Sequence, residues 1–189
     1  MVIATSEEKL RELIIYIAKK CESDTRFGLT KLAKIILFSD MLYYANFGSS
    51  ITGQTYTKEK RGPLAKDFYK VKDDLLAKKE VVELKRPVIT HELTQVVATR
   101  EPNYKLFTPE EVSFVDTIIK ELENHNGTKA SKLSHMYFVA WQDLNYNEEI
   151  PYQTIFLPTN YELTDSDKNY SVQLMKQYGW DKTYGWITG

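Results

Sequence analysis

The sequence predicts a mainly helical α+β fold: about five to six helices around one central buried helix, with a small antiparallel β-sheet. Three observations carry this expectation. Residues 32–45 are apolar on most sides rather than along one stripe, the pattern of a helix enclosed by its neighbours. Two capping boxes, Thr5 with Glu8 and Thr108 with Glu111, each open a run with helical apolar spacing. Between residues 80 and 100 the period shortens toward two and β-branched residues accumulate, as in strands.

Taken in order, Thr5 caps a first helix whose Leu10, Leu13, Ile14, Ile17, Ala18 and Cys21 share a face. A polar connection ends at Gly28, and Thr30 is placed to cap the central helix, which Gly48 can stop in the left-handed conformation. Gly53 permits a turn before a short strand over residues 54–60. Gly62-Pro63 then reads as the start of a third helix with proline at N1, where its missing N–H costs nothing. Leu64, Phe68, Val71 and Leu75 fall on one side of that helix. Two strands follow, one through Val82 and Leu84 and one over residues 93–99, expected to pair with the strand before Gly62. Thr108 and Pro109 open a helix with Val112, Val115, Ile119 and Leu122 inward, and Thr128 can cap a shorter one through Leu133 and Met136. Residues 145–151 read as a loop.

The organisation expected is one domain over residues 1–158 and a C-terminal helical arm over residues 159–189, dense in aromatic residues. The formal net charge of −1 supplies no global field toward nucleic acid or anionic membrane. No apolar run is long enough to span a bilayer, and the opening residues lack the basic and apolar regions of a secretory signal. A single cysteine, Cys21, excludes an internal disulfide and fits a reducing cytoplasm, with the thiol an inert core group.

Little in the chain points to enzyme chemistry. His91, His125 and His135 are dispersed, with no Cys or His at metal-ligand spacing, so neither a metal nor a cofactor is expected. No glycine-rich phosphate loop is present. Ser134 and His135 are adjacent, and neighbours on a helix point too far apart to pair as nucleophile and base. A histidine that orients a loop is the better reading, and the chain is expected not to be an enzyme. A second reading is a DNA-binding transcriptional regulator, with residues 109–140 arranged like a helix-turn-helix that presents Lys129, Ser131, Lys132 and His135. That second helix offers no Arg for guanine and no Asn or Gln for adenine before Gln142. Lys58, Lys60, Arg61 and Lys66 could touch phosphates, but Glu59 and Asp67 dilute them, so nucleic acid is the weaker expectation.

One set of residues resembles a known family. The Leu/Lys-rich apolar helix, Thr52-Gly53 with Tyr56, Gly62-Pro63, Ser134-His135, Trp141 and the Ile-Pro-Tyr of residues 150–152 follow in the order of the Panacea domain. The resemblance extends over about residues 10–152. It departs at Lys60-Arg61, where members often carry an aromatic residue before Gly-Pro. The family contains SocA-like antitoxins and phage- and prophage-associated proteins. The resemblance implies a non-enzymatic antitoxin of a toxin–antitoxin system, or a protein-interaction module. Its partner would be a cognate toxin, neutralised by direct binding or presented to a AAA+ protease. Thr52, Gly53, Tyr56, Gly62, Pro63, Ser134, His135 and Trp141 mark the motif, and structural work is expected of them. Beyond the resemblance, Tyr170, Tyr178, Trp180, Tyr184 and Trp186 are candidates for partner contacts, because rigid aromatic side chains give contact area at small entropic cost.

Overall fold

Eleven consecutive residues, from Lys31 to Met41, are buried, so the second helix of the chain is enclosed on every side. The computed structural model describes residues 5–88 and 91–157. Among them are six helices: α1 (Ser6–Lys20), α2 (Leu29–Phe47), α3 (Phe68–Ala77), α4 (Pro109–Glu121), α5 (Gly127–Tyr137) and α6 (Ala140–Asp143). The strands are β1 (Tyr56–Thr57), β2 (Leu64–Ala65), β3 (Val81–Val88), β4 (His91–Ala98) and β5 (Glu149–Ile150). The mainly helical α+β class is therefore correct. The C-terminal arm lies outside the described residues.

Local signals hold at three helix ends. Both capping boxes form: the Thr5 hydroxyl accepts from the Glu8 amide and the Thr108 hydroxyl from the Glu111 amide, with both glutamates accepting in return. Gly48 closes α2 in the left-handed region at φ 75°. α2 packs against α1, α4, α5, β2, β4 and the 3-10 turn Tyr152–Phe156. Leu32, Ile35, Ile36, Leu37 and Met41 sit at the middle of the core, with Leu13, Ile14 and Ile17 from α1 against them.

Four expectations need correction. Gly28, not Thr30, is the N-cap of α2, because the Leu32 amide already bonds to the Gly28 carbonyl at 2.9 Å. A Cβ there would lie 2.3 Å from the end of the Leu93 side chain of β4, so any other residue would have to displace that side chain. Asn126, not Thr128, caps α5 through the Lys129 amide. Pro63 does not open a helix. The chain stays extended into β2, whose residues find hydrogen-bond partners on β1, and α3 starts only at Phe68. Finally, β3 and β4 form their own two-stranded sheet and do not join β1, which is flanked instead by β2 and by β5 from the loop at residues 145–151. The hairpin is complete in itself, with eight antiparallel residue pairs, and its inner residues Val81 and Val96 face the core.

One ion-pair network joins α1 to this hairpin. Arg100 donates to both carboxylate oxygens of Glu12 (2.8 and 2.7 Å) and to Glu80, while the Asn103 amide adds a bond of 2.7 Å to Glu12. Burial opposes ionisation of Glu12, but the Arg100 and Asn103 bonds outweigh it and hold the carboxyl below its ordinary range. Replacing Arg100 with Met should leave a buried, unpaired carboxylate and cost about 2–4 kcal/mol, less than for a fully enclosed pair because Arg100 is partly exposed. The double variant Arg100→Met with Glu12→Gln should recover part of that loss, and urea unfolding measures both.

Candidate functional site

The site is built on Lys34 and Asp40 of α2, a helix whose other buried polar side chains are Lys31, paired with Asp24, and Ser39. Asp40 is fully enclosed at 0% exposure. Its Oδ1 accepts the Thr52 amide at 2.8 Å, and its Oδ2 accepts the Thr52 hydroxyl and the Tyr56 hydroxyl, the latter at 2.7 Å. Burial pushes the Asp40 carboxyl above its ordinary range, and these donors pull against that. The turn between them needs glycine: Gly53 has φ 71°. Gln54, also buried, extends the clamp to Ser6 of α1 through its side chain and to Tyr152 through its carbonyl. The Thr52-Gly53-x-x-Tyr56 motif is thus a loop wrapped on a buried carboxyl group.

Nearly two turns earlier on α2, Lys34 does the corresponding work for Gly62-Pro63. Its ammonium is buried and donates to the Pro63 carbonyl at 2.8 Å, its one hydrogen bond among the described residues. Burial lowers the Lys34 pKa to about 7. Gly62 has φ 96°, and a Cβ there would stand 2.7 Å from Ser134 Oγ and 2.9 Å from both His135 Nε2 and Lys34 Nζ. Conformation and space both demand glycine. The His135 ring lies parallel to Trp141 at 3.9 Å, and Trp141 Nε1 donates to the Glu59 carbonyl at 2.9 Å. Lys58 places its ammonium 5.0 Å over the Trp141 ring and donates to the Leu144 carbonyl at 2.6 Å. Loop 58–62 is therefore stapled to the α5–α6 corner on one side and to α2 on the other.

Beside this cradle a cleft of about 390 Å³ opens, lined among others by Thr30, Lys34, Lys60, Arg61, Tyr69 and Tyr146. Tyr69 and Tyr146 are each more than half exposed. Arg61 donates to the Thr30 hydroxyl at 3.1 Å.

The motif residues fall into two groups. Thr52, Gly53 and Tyr56 gather at Asp40, while Gly62, Pro63, Ser134, His135 and Trp141 gather at Lys34. Sequence reasoning missed both organisers. The available signal was a lysine and an aspartate inside a helix read as buried on several faces. Ser134 donates to the Ser131 carbonyl of its own helix at 2.8 Å, so its proton is directed away from His135. Burial, then the neighbouring Lys34 charge, depresses the His135 pKa. Burial raises the Cys21 thiol to about 12, which keeps it an unreactive thiol. In the helix-turn-helix reading, Lys129 and Lys132 are exposed, but Ser131 is buried and His135 faces Trp141. Among the described residues no group of three or more His, Cys, Asp or Glu is placed to hold a metal ion, and no helix is long and apolar enough to cross a membrane. Tyr170, Tyr178, Trp180, Tyr184 and Trp186 lie outside the described residues.

Comparison with known proteins gives one match: the family described as antitoxin SocA-like, Panacea domain, over residues 32–142. No curated protein and no solved structure matches the chain. The matched span is shorter than the sequence motifs suggested. It begins within α2, ends within α6, and contains Lys34, Asp40 and every motif residue from Thr52 to Trp141.

Two outcomes follow for the organisers. Asp40→Ala removes the acceptor for three donors in a place without water, and should cost about 3–5 kcal/mol, a fall of roughly 10 °C in thermal unfolding. Asp40→Asn, which keeps one acceptor oxygen, should fall between. For Lys34 the folded pKa lies below the unfolded value near 10.5, so its contribution to stability is complete above that value and is lost as pH falls toward 7. Stability of the parent relative to Lys34→Met should therefore rise from pH 7 to 9.5, by up to about 1 kcal/mol per pH unit, in urea unfolding at a series of pH values.

Proposed function

The chain belongs to the SocA-like antitoxin, Panacea-domain family, and from that membership we propose that it is a non-enzymatic antitoxin that neutralises a cognate toxin by binding it. The observation carrying this reading is the family match over residues 32–142, the same span that holds both clusters on α2. A loop fastened at two buried points gives a rigid platform, and rigidity limits the ordering cost of association. Exposed Tyr69, Met136, Tyr137 and Tyr146 offer the large side chains that serve as anchors at interfaces. The motif's Ser134 donates within its own helix and His135 stacks on Trp141, which favours a structural role over a nucleophilic one. The DNA-binding regulator ranks second, with only Lys129 and Lys132 of its four presented residues exposed.

The partner is expected to be encoded beside this gene, in a phage or prophage setting, and to meet the chain in the cytoplasm. Co-expression of the chain with a small neighbouring reading frame that arrests growth should restore growth. Rescue that persists in a host lacking its AAA+ proteases supports direct neutralisation. Rescue lost in that host assigns the adaptor role instead. Absence of rescue, together with promoter binding that weakens steeply with salt, would favour the regulator.

We assign partner contacts also to the arm at residues 159–189. Removing residues 160–189 should leave a cooperatively unfolding domain with weaker toxin binding. Trp180→Ala and Trp186→Ala should each cost about 2 kcal/mol of binding where the side chain is an anchor. Loss of cooperative unfolding on truncation would make the arm part of the core, and unchanged binding would remove it from the interface.

A further inference from the structure

The cleft beside Gly62 is lined by three basic side chains and one acid. Among the described residues, Lys34, Lys60 and Arg61 all line it, and none has a carboxylate partner within 4.0 Å. Lys34 Nζ has three donor protons and one acceptor, the Pro63 carbonyl. Arg61 has the Thr30 hydroxyl at 3.1 Å. The acid on the cleft wall, Glu59, holds the Tyr146 hydroxyl, which raises the Tyr146 pKa. Next to the Lys34 amine, His135 Nε2 is buried and has no hydrogen-bond partner of good geometry among the described residues, its nearest backbone acceptor being at Arg61. Lys34 Nζ keeps donor capacity beyond the Pro63 carbonyl and adjoins an open cleft, so an oxyanion entering there would find a donor and draw the amine into its charged form. The remainder of the lining has a different character: Leu29, Leu64 and Phe68 are apolar, and Tyr69 and Tyr146 present their rings at the mouth. A volume of about 390 Å³ is in the range of small-molecule sites, which combine apolar walls with a few convergent polar groups.

We propose that this cleft binds a small organic anion, a phosphate or carboxylate carried on a planar body. Arg61 and Lys34 hold the oxyanion, and Tyr69 and Tyr146 contact the body. A guanidinium is suited to this task because its planar fork donates two parallel bonds to such groups. Lys60 and Arg61, immediately before Gly62, give the cleft two of its cations. The site is independent of the antitoxin reading and stands or falls separately from it.

The test is a titration of the isotope-labelled full chain, followed by amide chemical shifts, with four probes. Phenyl phosphate and benzoate supply both body and charge, phenol supplies the body alone, and inorganic phosphate the charge alone. Saturable shifts are expected at Thr30, Arg61, Gly62 and Tyr69 with the first two, and binding about tenfold weaker with phenol, which lacks the charge-assisted bond, and with inorganic phosphate, which lacks the apolar body. Arg61→Gln, an exposed position where folding is not at risk, should weaken phenyl phosphate about tenfold. Lys34→Met should do the same, checked for an unchanged fold by its spectrum. The proposal is overturned if neither phenyl phosphate nor benzoate gives saturable shifts at these residues. It is equally overturned if inorganic phosphate binds as well as phenyl phosphate, or if Arg61→Gln binds like the parent; either result means nonspecific attraction to surface cations.

Discussion

Everything around the motif loop depends on one carboxyl group held away from water. Asp40 has no exposure, and three hydrogen bonds to it from Thr52 and Tyr56 supply what solvent would otherwise provide. Such a group is costly to bury alone and much less so when its acceptors are met, so the loop and the helix are stable only together. Tyr56 is in turn the central strand residue of the three-stranded sheet, paired with Ala65 on one side and Ile150 on the other. Its ring meets Tyr152 edge-on at 5.9 Å, and Tyr152 hydrogen-bonds the Gln54 carbonyl. The arrangement of β1, β2, β5 and the turn after β5 thus traces back to a single side chain on α2.

Lys34 supplies the second fastening. Six residues apart, Lys34 and Asp40 are separated by about 9 Å of helix rise. One holds the loop where it begins and the other where it ends. Between those points the chain reaches across to α5 and α6, where Trp141 accepts His135 on its face and binds the Glu59 carbonyl. The result is a closed circuit of α2, the loop at residues 52–63, and the α5–α6 corner. The family match covers that circuit and omits all of α1, which is consistent with the circuit being the unit that members share.

Here the loop is fixed by buried polar bonds, which are directional, rather than by apolar contacts alone, which tolerate rearrangement. The same design leaves the cleft beside Gly62 with three basic side chains against one acid. Rigidity and basic side chains therefore sit side by side on one face of the loop.

The sequence alone determined the elements whose signals are local. The two capping boxes, the Gly48 stop and the apolar pattern of α2 each involve residues within a turn or two of one another, and each formed as read. The motif residues were legible as a set, and so was the need for glycine at positions 53 and 62. What they surround was not. The bonds of Asp40 span 12 to 16 residues, that of Lys34 spans 29, and Trp141 meets Glu59 across 82. Pro63 carried a proper local signal for a helix start and was overruled because β1 offered partners for an extended chain. The hairpin of β3 and β4 was recognised as strands, but which strands it joins depends on where α1 and α3 pack. Tertiary structure alone decided these points, because the free energy of a buried charge is set by whichever donor or acceptor the fold brings to it, and that partner leaves no mark in the residues nearby.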